Sequence, residues 1–502
     1  MVLKKDSLIS SILLTSFSQI IVTLLNILIL KFLAVLIVEE SFGVYLTTRR
    51  FIGLMFAFLL LNMNMSITRF ISFYESKAEE FFLFAMTIMS VLSSLFFFFA
   101  LFFKEMIAQG LFNNSQYDNI IPAIFIFLFA NCFHILSIGY FRGKQNFRTM
   151  NFMDVLFWLY GFLIIYVFVI FPGNFNQQII TYLLIYAFFS LCSNLYFLFK
   201  YGNFTQLPHT FLRILRLKQK IIPSEFTRYG FIRLPSSILI EALFLGPIVI
   251  STHLFGLRFA AYLGIIIAFV RMIQLIAYPI GIIFLPKFSS LQASGEKARV
   301  RNYSQLIIEF VVSLPLLVGA LSILFSKELI TIWFGKNYSP VIPYLNIISP
   351  FVGMVIVYVI LRSLLDGSSN YPYVNIITSV AFIGMILLTF VLYQFVVNPA
   401  IIVFSFAMGI TLLGVLAINF TIRLFHIRFF TRKVFFAMLW YLFVFIVSYY
   451  CSIWIDSAEL LIRLMSKIVI ALVLLSLSYG FYRLCQFEWI NEFWQRVKSI
   501  NG

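Results

Sequence analysis

The feature that most constrains this chain is a succession of long, uninterrupted apolar runs. About 14 of them reach the roughly 20 residues that a helix needs to cross the hydrocarbon core of a bilayer. Strands of a membrane barrel would instead alternate apolar and polar residues over segments of about ten residues. Only 11% of the residues are charged, against about 25% in soluble domains. The pattern predicts an all-α polytopic membrane protein.

The runs also predict where each span lies. They fall into groups of six, six and two, at roughly 10–37, 43–71, 80–103, 120–141, 151–172 and 178–200, then 227–254, 258–286, 305–326, 340–365, 371–394 and 398–421, and finally 434–455 and 461–485. We therefore expect an N-lobe over 1–200, a basic cytoplasmic linker over 201–224, a C-lobe over 225–422, and two C-terminal helices with a cytoplasmic tail over 423–502.

A short sequence echo supports two lobes of six helices. Gly143, Asn146 and Asn151 follow the fourth run, and Gly367, Asn370 and Asn375 follow the tenth with the same spacing. An even number of spans per repeat gives parallel repeats, related by a pseudo-two-fold axis along the membrane normal. Substrate is then expected near the midplane, between the lobes.

Lysine and arginine predict the orientation. With the N-terminus inside, cytoplasmic segments hold Arg142, Lys144 and the 213–220 cluster, whereas outside loops hold little beyond Lys104, Lys327 and Lys336. This bias predicts a multi-pass protein of the cell (cytoplasmic) membrane with both termini cytoplasmic. The net charge of +17 is explained by topology and by attraction to anionic membrane lipids, so no nucleic-acid partner is expected.

Charged and polar residues nevertheless lie inside apolar runs. Arg233, Ser237 and Glu241 share one stripe of the seventh helix, and Arg271, Gln274 and Tyr278 share one of the eighth. A charge at the bilayer centre costs at least about 2.5–3.5 kcal/mol, so such residues should face protein or a watery cavity.

Several motifs resemble one known family. They occur in order along the whole chain: Phe42-Gly43-Val44-Tyr45, Ser66-Ile67-Thr68-Arg69-Phe70-Ile71-Ser72, Arg228-Tyr229-Gly230, Leu285-Pro286-Lys287-Phe288-Ser289 and Phe334-Gly335-Lys336-Asn337-Tyr338. The chain thereby resembles the polysaccharide-biosynthesis, O-antigen-type oligosaccharide flippases of the multidrug/oligosaccharidyl-lipid/polysaccharide exporter superfamily. The resemblance implies an alternating-access flippase that moves a polyprenyl-diphosphate-linked oligosaccharide of a cell-surface glycan from the inner to the outer leaflet. We expect it to act as a monomer.

The diphosphate of such a substrate needs cations in a low-dielectric cavity. The candidates are Arg271, Arg49, Arg50, Lys31 and Arg233, since arginine matches phosphate bidentately and lysine serves as a point charge. Lipid II flippases of the same superfamily line their cavity with cations on the first, second and eighth helices, and the matching helices here carry cations too. The alternative for Lys31 and Arg233 is snorkelling to the headgroups. Arg49 and Arg50 point about 100° apart, so we expect one of them to face inward.

Sugar contacts and ion coupling need other groups. Gln19, Asn26, Asn62 and Gln274 are candidates for sugar binding, with interhelical hydrogen bonding as the alternative. Glu241 is the leading candidate for proton or sodium coupling, ahead of Glu309 and Asp154, with a structural salt bridge as its alternative.

Other classes remain to be weighed. The four cysteines and four histidines lie scattered, with no CxxC, HExxH, GxSxG or phosphate loop, so we expect no metal, no cofactor and no enzyme activity. A glycan polymerase or ligase would need a large external loop. A cation-coupled drug exporter of the same superfamily would have an acid-dominated cavity. A lipid II-type flippase and a scaffold role stay open.

Overall fold

The computed structural model describes residues 8–171, 173–202, 224–293, 297–368, 371–427, 432–455 and 460–487. Within these ranges the regular elements are all helices, as the apolar runs predict. The chain divides into two compact units, Met1–Gly264 and Ile265–Gly502.

The first unit begins with nine helices. Several spans are assembled from two shorter helices, and the elements are α1 Leu8–Leu36, α2 Glu39–Leu60, α3 Met63–Phe73, α4 Ala78–Phe102, α5 Lys104–Phe112, α6 Ile120–Gly143, α7 Phe147–Leu163, α8 Val167–Ile170 and α9 Phe175–Tyr201. The next helical stretch, Ser224–Ala293, is broken at Gly256, which has φ 84° and ψ 172°. We number its parts α10 (224–255) and α11 (257–293); the boundary between the units falls inside α11.

The second unit contains the rest of α11 and eight further helices. They are α12 Lys297–Leu324, α13 Ser326–Trp333, α14 Ile342–Ile348, α15 Gly353–Ser368, α16 Tyr373–Phe395, α17 Ala400–Phe425, α18 Arg432–Trp454 and α19 Leu460–Leu484. The last two expose most of their apolar side chains, as expected for helices facing lipid.

The number of spans agrees with the prediction. Twelve described helices are long and apolar enough to cross a membrane, and one bent pair, Lys336–Phe351 with Gly353–Asp366, passes the same test. One of the twelve, Ser224–Leu275, has 52 residues. At 1.5 Å per residue it is more than twice as long as one crossing, and the break at Gly256 divides it. Counting it as two spans and the bent pair as one gives 14 among the described residues.

The second span is interrupted in its C-terminal half. Leu61 (φ 46°) and Asn62 (φ 56°) both adopt the left-handed conformation, which ends α2 and lets α3 begin at Met63. Two consecutive non-glycine residues in this region are uncommon, although asparagine tolerates it. The break in this span is therefore set by the backbone conformation of these two residues.

Close backbone contacts hold α10 and the start of α11 against the second span. A Cβ on Gly230 would lie 2.6 Å from the carbonyl oxygen of Leu61, and one on Gly43 would lie 2.3 Å from that of Leu257. Only glycine permits this approach at both places. Residues 224–264 belong to the first compact unit, and the division into an N-lobe (1–200) and a C-lobe (225–422) stays a prediction. Residues 203–223 of the predicted 201–224 linker and the tail beyond 487 lie outside the described residues.

An ion cluster that we did not predict ties α19 to α13 in the second unit. Lys467 Nζ lies 3.0 Å from Oε2 of Glu328, and Arg463 Nε lies 2.6 Å from its Oε1. The side chains of Lys467 and Glu328 are 1% and 3% exposed, so the charges are withdrawn from both water and lipid.

Candidate functional site

Thr15 and Gln19, which belong to a polar stripe on α1, face α7 within the first unit. Gln19 Nε2 donates to Oδ2 of Asp154 at 2.9 Å, and Asn151 Nδ2 donates to Oγ1 of Thr15 at 3.0 Å. The structure thus uses these positions for interhelical hydrogen bonds, the alternative left open for the stripe. Gln19 and Asp154, predicted for different roles, are brought together.

Arg49 lies inside the first unit, on α2. Its guanidinium donates to Oδ1 of Asn26 and lies 5.6 Å above the ring of Trp158. Its Nη1 is buried with no hydrogen-bond partner among the described atoms. The pairing of Asn26 with Arg49 joins a predicted sugar ligand to a predicted phosphate ligand.

Buried tyrosines lie close to this guanidinium. Arg49 acts electrostatically on the hydroxyls of Tyr45, Tyr182 and Tyr186, all buried. The hydroxyl of Tyr186 has no hydrogen-bond partner in the described part of the chain. The faces of aromatic rings favour a cation electrostatically.

Glu241 lies against α2. Its Oε2 would be 3.1 Å from a Cβ on Gly53, so glycine leaves room for the carboxylate. Gly53 is four residues after Arg49 and three after Arg50, within one helical turn of both. The carboxylate predicted for ion coupling therefore packs against the part of α2 that carries two predicted phosphate ligands.

Arg233 stacks on an aromatic ring. Its guanidinium carbon lies 4.2 Å from the ring centroid of Tyr229, one turn earlier on α10. Arg69 of α3 lies 4.6 Å from the same centroid. Arg69 and Tyr229 were missed as site residues, although both stand in motifs that carry the family resemblance.

Two predicted residues have different surroundings. Lys31 is exposed on α1, and we find no hydrogen bond or ion pair for it within the described ranges. Asn62 is 7% exposed at the break in the second span, and its Nδ2 has no hydrogen-bond partner among the described atoms. Asn62 thus stands at the N-cap position of α3.

The second unit holds the remaining candidates. Arg271 Nη1 lies 3.4 Å from Oε1 of Gln274, so the predicted phosphate and sugar ligands of α11 are neighbours. Arg271 also acts electrostatically on the buried Tyr358 of α15, as do Arg362 and Asp366. These two residues, which the sequence did not single out, form an ion pair of 3.5 Å. The side chain of Tyr278 lies outside the described part.

The weaker ion-coupling candidates have structural partners. Glu309 is 3% exposed, with Lys433 Nζ at 3.9 Å from its Oε1, and Asp154 accepts from Gln19. A search of the described residues finds no group of histidine, cysteine, aspartate and glutamate that could hold a metal ion.

Comparison with known proteins by sequence gives no result: no family model matches the chain, and no curated protein does. Comparison by structure finds similar proteins of known structure. A multidrug resistance MATE family transporter of the MOP superfamily, in an inward-facing conformation, has a TM-score of 0.64 at 13% identity, covering 83% of this chain and 98% of that one. The lipid II flippase MurJ, in an inward closed conformation, has a TM-score of 0.64 at 16% identity, covering 95% and 99%. A MOP superfamily transporter from Pyrococcus furiosus has a TM-score of 0.58 at 14% identity, covering 83% and 95%. This multi-pass membrane chain therefore has the fold of MOP-superfamily transporters.

Proposed function

We propose that the protein is an alternating-access flippase that carries a polyprenyl-diphosphate-linked oligosaccharide across the cytoplasmic membrane, from the inner to the outer leaflet, with both termini in the cytoplasm. The observation that carries the proposal is Arg49. It is a membrane-embedded cation that contacts an amide and an aromatic ring, and the described residues place no carboxylate within ion-pair distance of it. A cation held in this way remains available to an anion.

The extent of structural similarity supports a lipid flippase. MurJ covers 95% of this chain and the MATE transporter covers 83%, a difference of about 60 of the 502 residues. The lipid II flippase is thus matched over more of this chain than the MATE transporter is.

The candidate residues then take the following roles. Arg49, Arg50, Lys31, Arg233 and Arg271 neutralise the diphosphate, because guanidinium groups pair bidentately with phosphate oxygens. Gln19 and Asn26 hold Asp154 and Arg49 in position, whereas Asn62 and Gln274 offer amides to sugars. Glu241 is the group that exchanges a proton or sodium ion.

The membrane potential favours this direction of transport. An inside-negative potential assists outward movement of each negative charge by about 2.3 kcal/mol per 100 mV. Cations along the path lower the cost of taking the diphosphate into a region of low dielectric. The protein then needs only to shield the headgroup, while the apolar tail stays in the lipid.

The test is reconstitution into proteoliposomes with a fluorescent polyprenyl-diphosphate oligosaccharide. Arg271→Ala and Arg49→Ala should each slow flipping about 10- to 100-fold, the equivalent of one lost charged contact of about 1.5–3 kcal/mol. Arg483→Ala, an exposed cation at the end of α19, serves as the matched control and should flip normally. Wild-type protein that does not flip this lipid would reject the function. Unchanged flipping in Arg271→Ala would remove that residue alone.

A cation-coupled drug exporter is the second candidate, favoured by the MATE fold and by Asp154, whose carboxylate is held by Gln19 inside the first unit. In this case Asp154→Asn should abolish proton-driven efflux of a cationic dye from proteoliposomes. Absence of dye efflux by the wild type would reject this alternative.

A further inference from the structure

We propose that Arg69, Tyr229 and Arg233 form the site where the phosphate headgroup of a lipid first binds on the cytoplasmic side. The inference rests on the proposed function, which it deepens by naming a first binding step. No role has been assigned above to Arg69 or Tyr229.

Both guanidinium groups share one ring. Their carbons lie 4.6 Å and 4.2 Å from the centroid of Tyr229, so the two are less than about 9 Å apart. Like charges at that distance repel each other, more strongly near a bilayer than in water. A phosphate that contacts both removes the repulsion and gains two charge-assisted hydrogen-bonding partners.

Helix α3 presents further donors on the same side. Asn62, Ser66 and Arg69 stand at positions i, i+4 and i+7 and therefore share one face of the helix. That face meets α10, because a Cβ on Gly230, the residue after Tyr229, would lie 3.3 Å from the Oγ of Ser66.

Two of these side chains lack partners although they are buried. Asn62 is 7% exposed and Ser66 is fully buried, yet Asn62 Nδ2 and Ser66 Oγ have no hydrogen-bond partner among the described atoms. Unsatisfied buried polar groups are costly, so they point to a missing ligand. They lie in the first turn of α3, one and two turns before Arg69, where the first amide groups and the helix dipole favour an anion. Donors and cations together select a phosphate rather than a metal ion.

Aromatic packing fixes the geometry. Phe226 of α10 is fully buried and lies 5.5 Å from Phe70 of α3 and 5.2 Å from Phe81 of α4, centroid to centroid. Phe70 and Phe226 neighbour Arg69 and Tyr229 closely in sequence, so the two helices cannot shift independently. A preorganised pair of cations binds with a smaller entropic cost.

The position suits a first step. Arg69 is exposed, so a headgroup can reach it. In the predicted orientation, the second span runs from the outside towards the cytoplasm, which puts the end of α3 at the inner leaflet. From Arg233, the next ionisable residue along α10 is Glu241, two turns or about 12 Å further, beside Arg49 and Arg50. The anion would thus move from an accessible pair of cations to a deeper one.

Binding to purified full-length protein in phosphatidylcholine nanodiscs tests the site. The probes are a fluorescent polyprenyl diphosphate and, in a separate arm, fluorescent phosphatidylglycerol. Arg69→Gln and Arg233→Gln should each raise Kd about tenfold, since each removes one charged contact. Tyr229→Leu should raise it about fivefold and Tyr229→Phe should leave it unchanged. Arg228→Gln, an exposed arginine next to Tyr229, is the matched charge control and should change Kd less than twofold.

Each outcome of these assays either supports or overturns the proposed site. Selective weakening of polyprenyl diphosphate supports the site with the substrate as occupant, and selective weakening of phosphatidylglycerol supports it with a phospholipid as occupant. Equal effects in all three arginine variants, or none, overturn the site. Wild-type flipping with unchanged rates in Arg69→Gln and Arg233→Gln rejects this site but leaves the proposed function intact, whereas failure of the wild type to flip rejects the function itself. Monodisperse elution of each variant shows that it is folded.

Discussion

The ion cluster of α13 and α19 makes a quantitative prediction about stability. Glu328 contacts two cations, with Lys467 Nζ at 3.0 Å and Arg463 Nε at 2.6 Å from its two oxygens. Across one carboxylate the two nitrogens are therefore at most about 8 Å apart. With an effective dielectric constant of 20, they repel each other by about 2 kcal/mol once the acid is gone.

The two ends of the cluster should therefore respond unequally. Glu328→Gln leaves two cations withdrawn from water, and removing one partner of a buried ion pair costs about 3–5 kcal/mol. Lys467→Met fills a similar volume and leaves Arg463 paired with Glu328, so it should change stability by no more than about 1 kcal/mol. We expect a difference of at least about 2 kcal/mol, or roughly 30-fold in the rate of thermal unfolding if the cluster breaks early.

Unfolding can be followed with a thiol-reactive dye, because Cys132 is fully buried and reacts only when the protein opens. Cys192 is exposed and Cys451 and Cys485 are partly exposed, so all three should be replaced by serine in every variant to lower the background. Glu105→Gln, which removes an exposed acid on α5, is the control and should unfold like the parent. If Lys467→Met unfolds as fast as Glu328→Gln, the assignment of Glu328 as the shared counterion is wrong.

Two further predictions concern the first unit. Gly43→Ala should lower stability by about 1–3 kcal/mol, because its Cβ would meet the carbonyl oxygen of Leu257 at 2.3 Å. A Cβ on Gly480 would have nothing within 4 Å, so the control Gly480→Ala should be neutral or stabilising. Thermal melts in detergent compare the two variants, and equal melting points would contradict the close packing at Gly43. Asn26→Asp should slow flipping at least about tenfold without lowering stability, since its carboxylate would neutralise Arg49. Full activity of this variant in the flipping assay would show that the charge of Arg49 is not needed.

The spans themselves could be predicted from the sequence because length and apolarity alone decide whether a helix can cross a bilayer. The breaks within these spans could not be predicted in the same way. The second apolar run has no glycine or proline around Leu61 and Asn62, so only the two asparagines at 62 and 64 hinted at a break. Short helices such as α5, Lys104–Phe112, lie outside the apolar runs, where periodicity over nine residues is weak.

The site was harder because its contacts join distant parts of the chain. The stripe on α1 was visible from its spacing, but the partners of Gln19 and Thr15 lie more than 130 residues away on α7. Lys467 stands in the middle of an apolar run and should itself have prompted a search for an acid. Glu328, 139 residues earlier on α13, could not be chosen without coordinates.

The packing of residues 224–264 with the first unit changes how the predicted cations relate to one another. Arg233 and Glu241 lie on α10, which contacts the second span at Gly53 and, through Gly230, at Leu61. Arg49, Arg50 and Arg69 follow the second span from its middle towards its C-terminal end, and Arg233 of α10 belongs to the same compact unit. A series of cations on one unit favours movement of an anion along that unit, with Arg271 of the other unit as a separate contact. The order of the steps is open to measurement, because a cytoplasmic-end variant such as Arg69→Gln should weaken binding, whereas Arg49→Ala should slow flipping of lipid that is already bound.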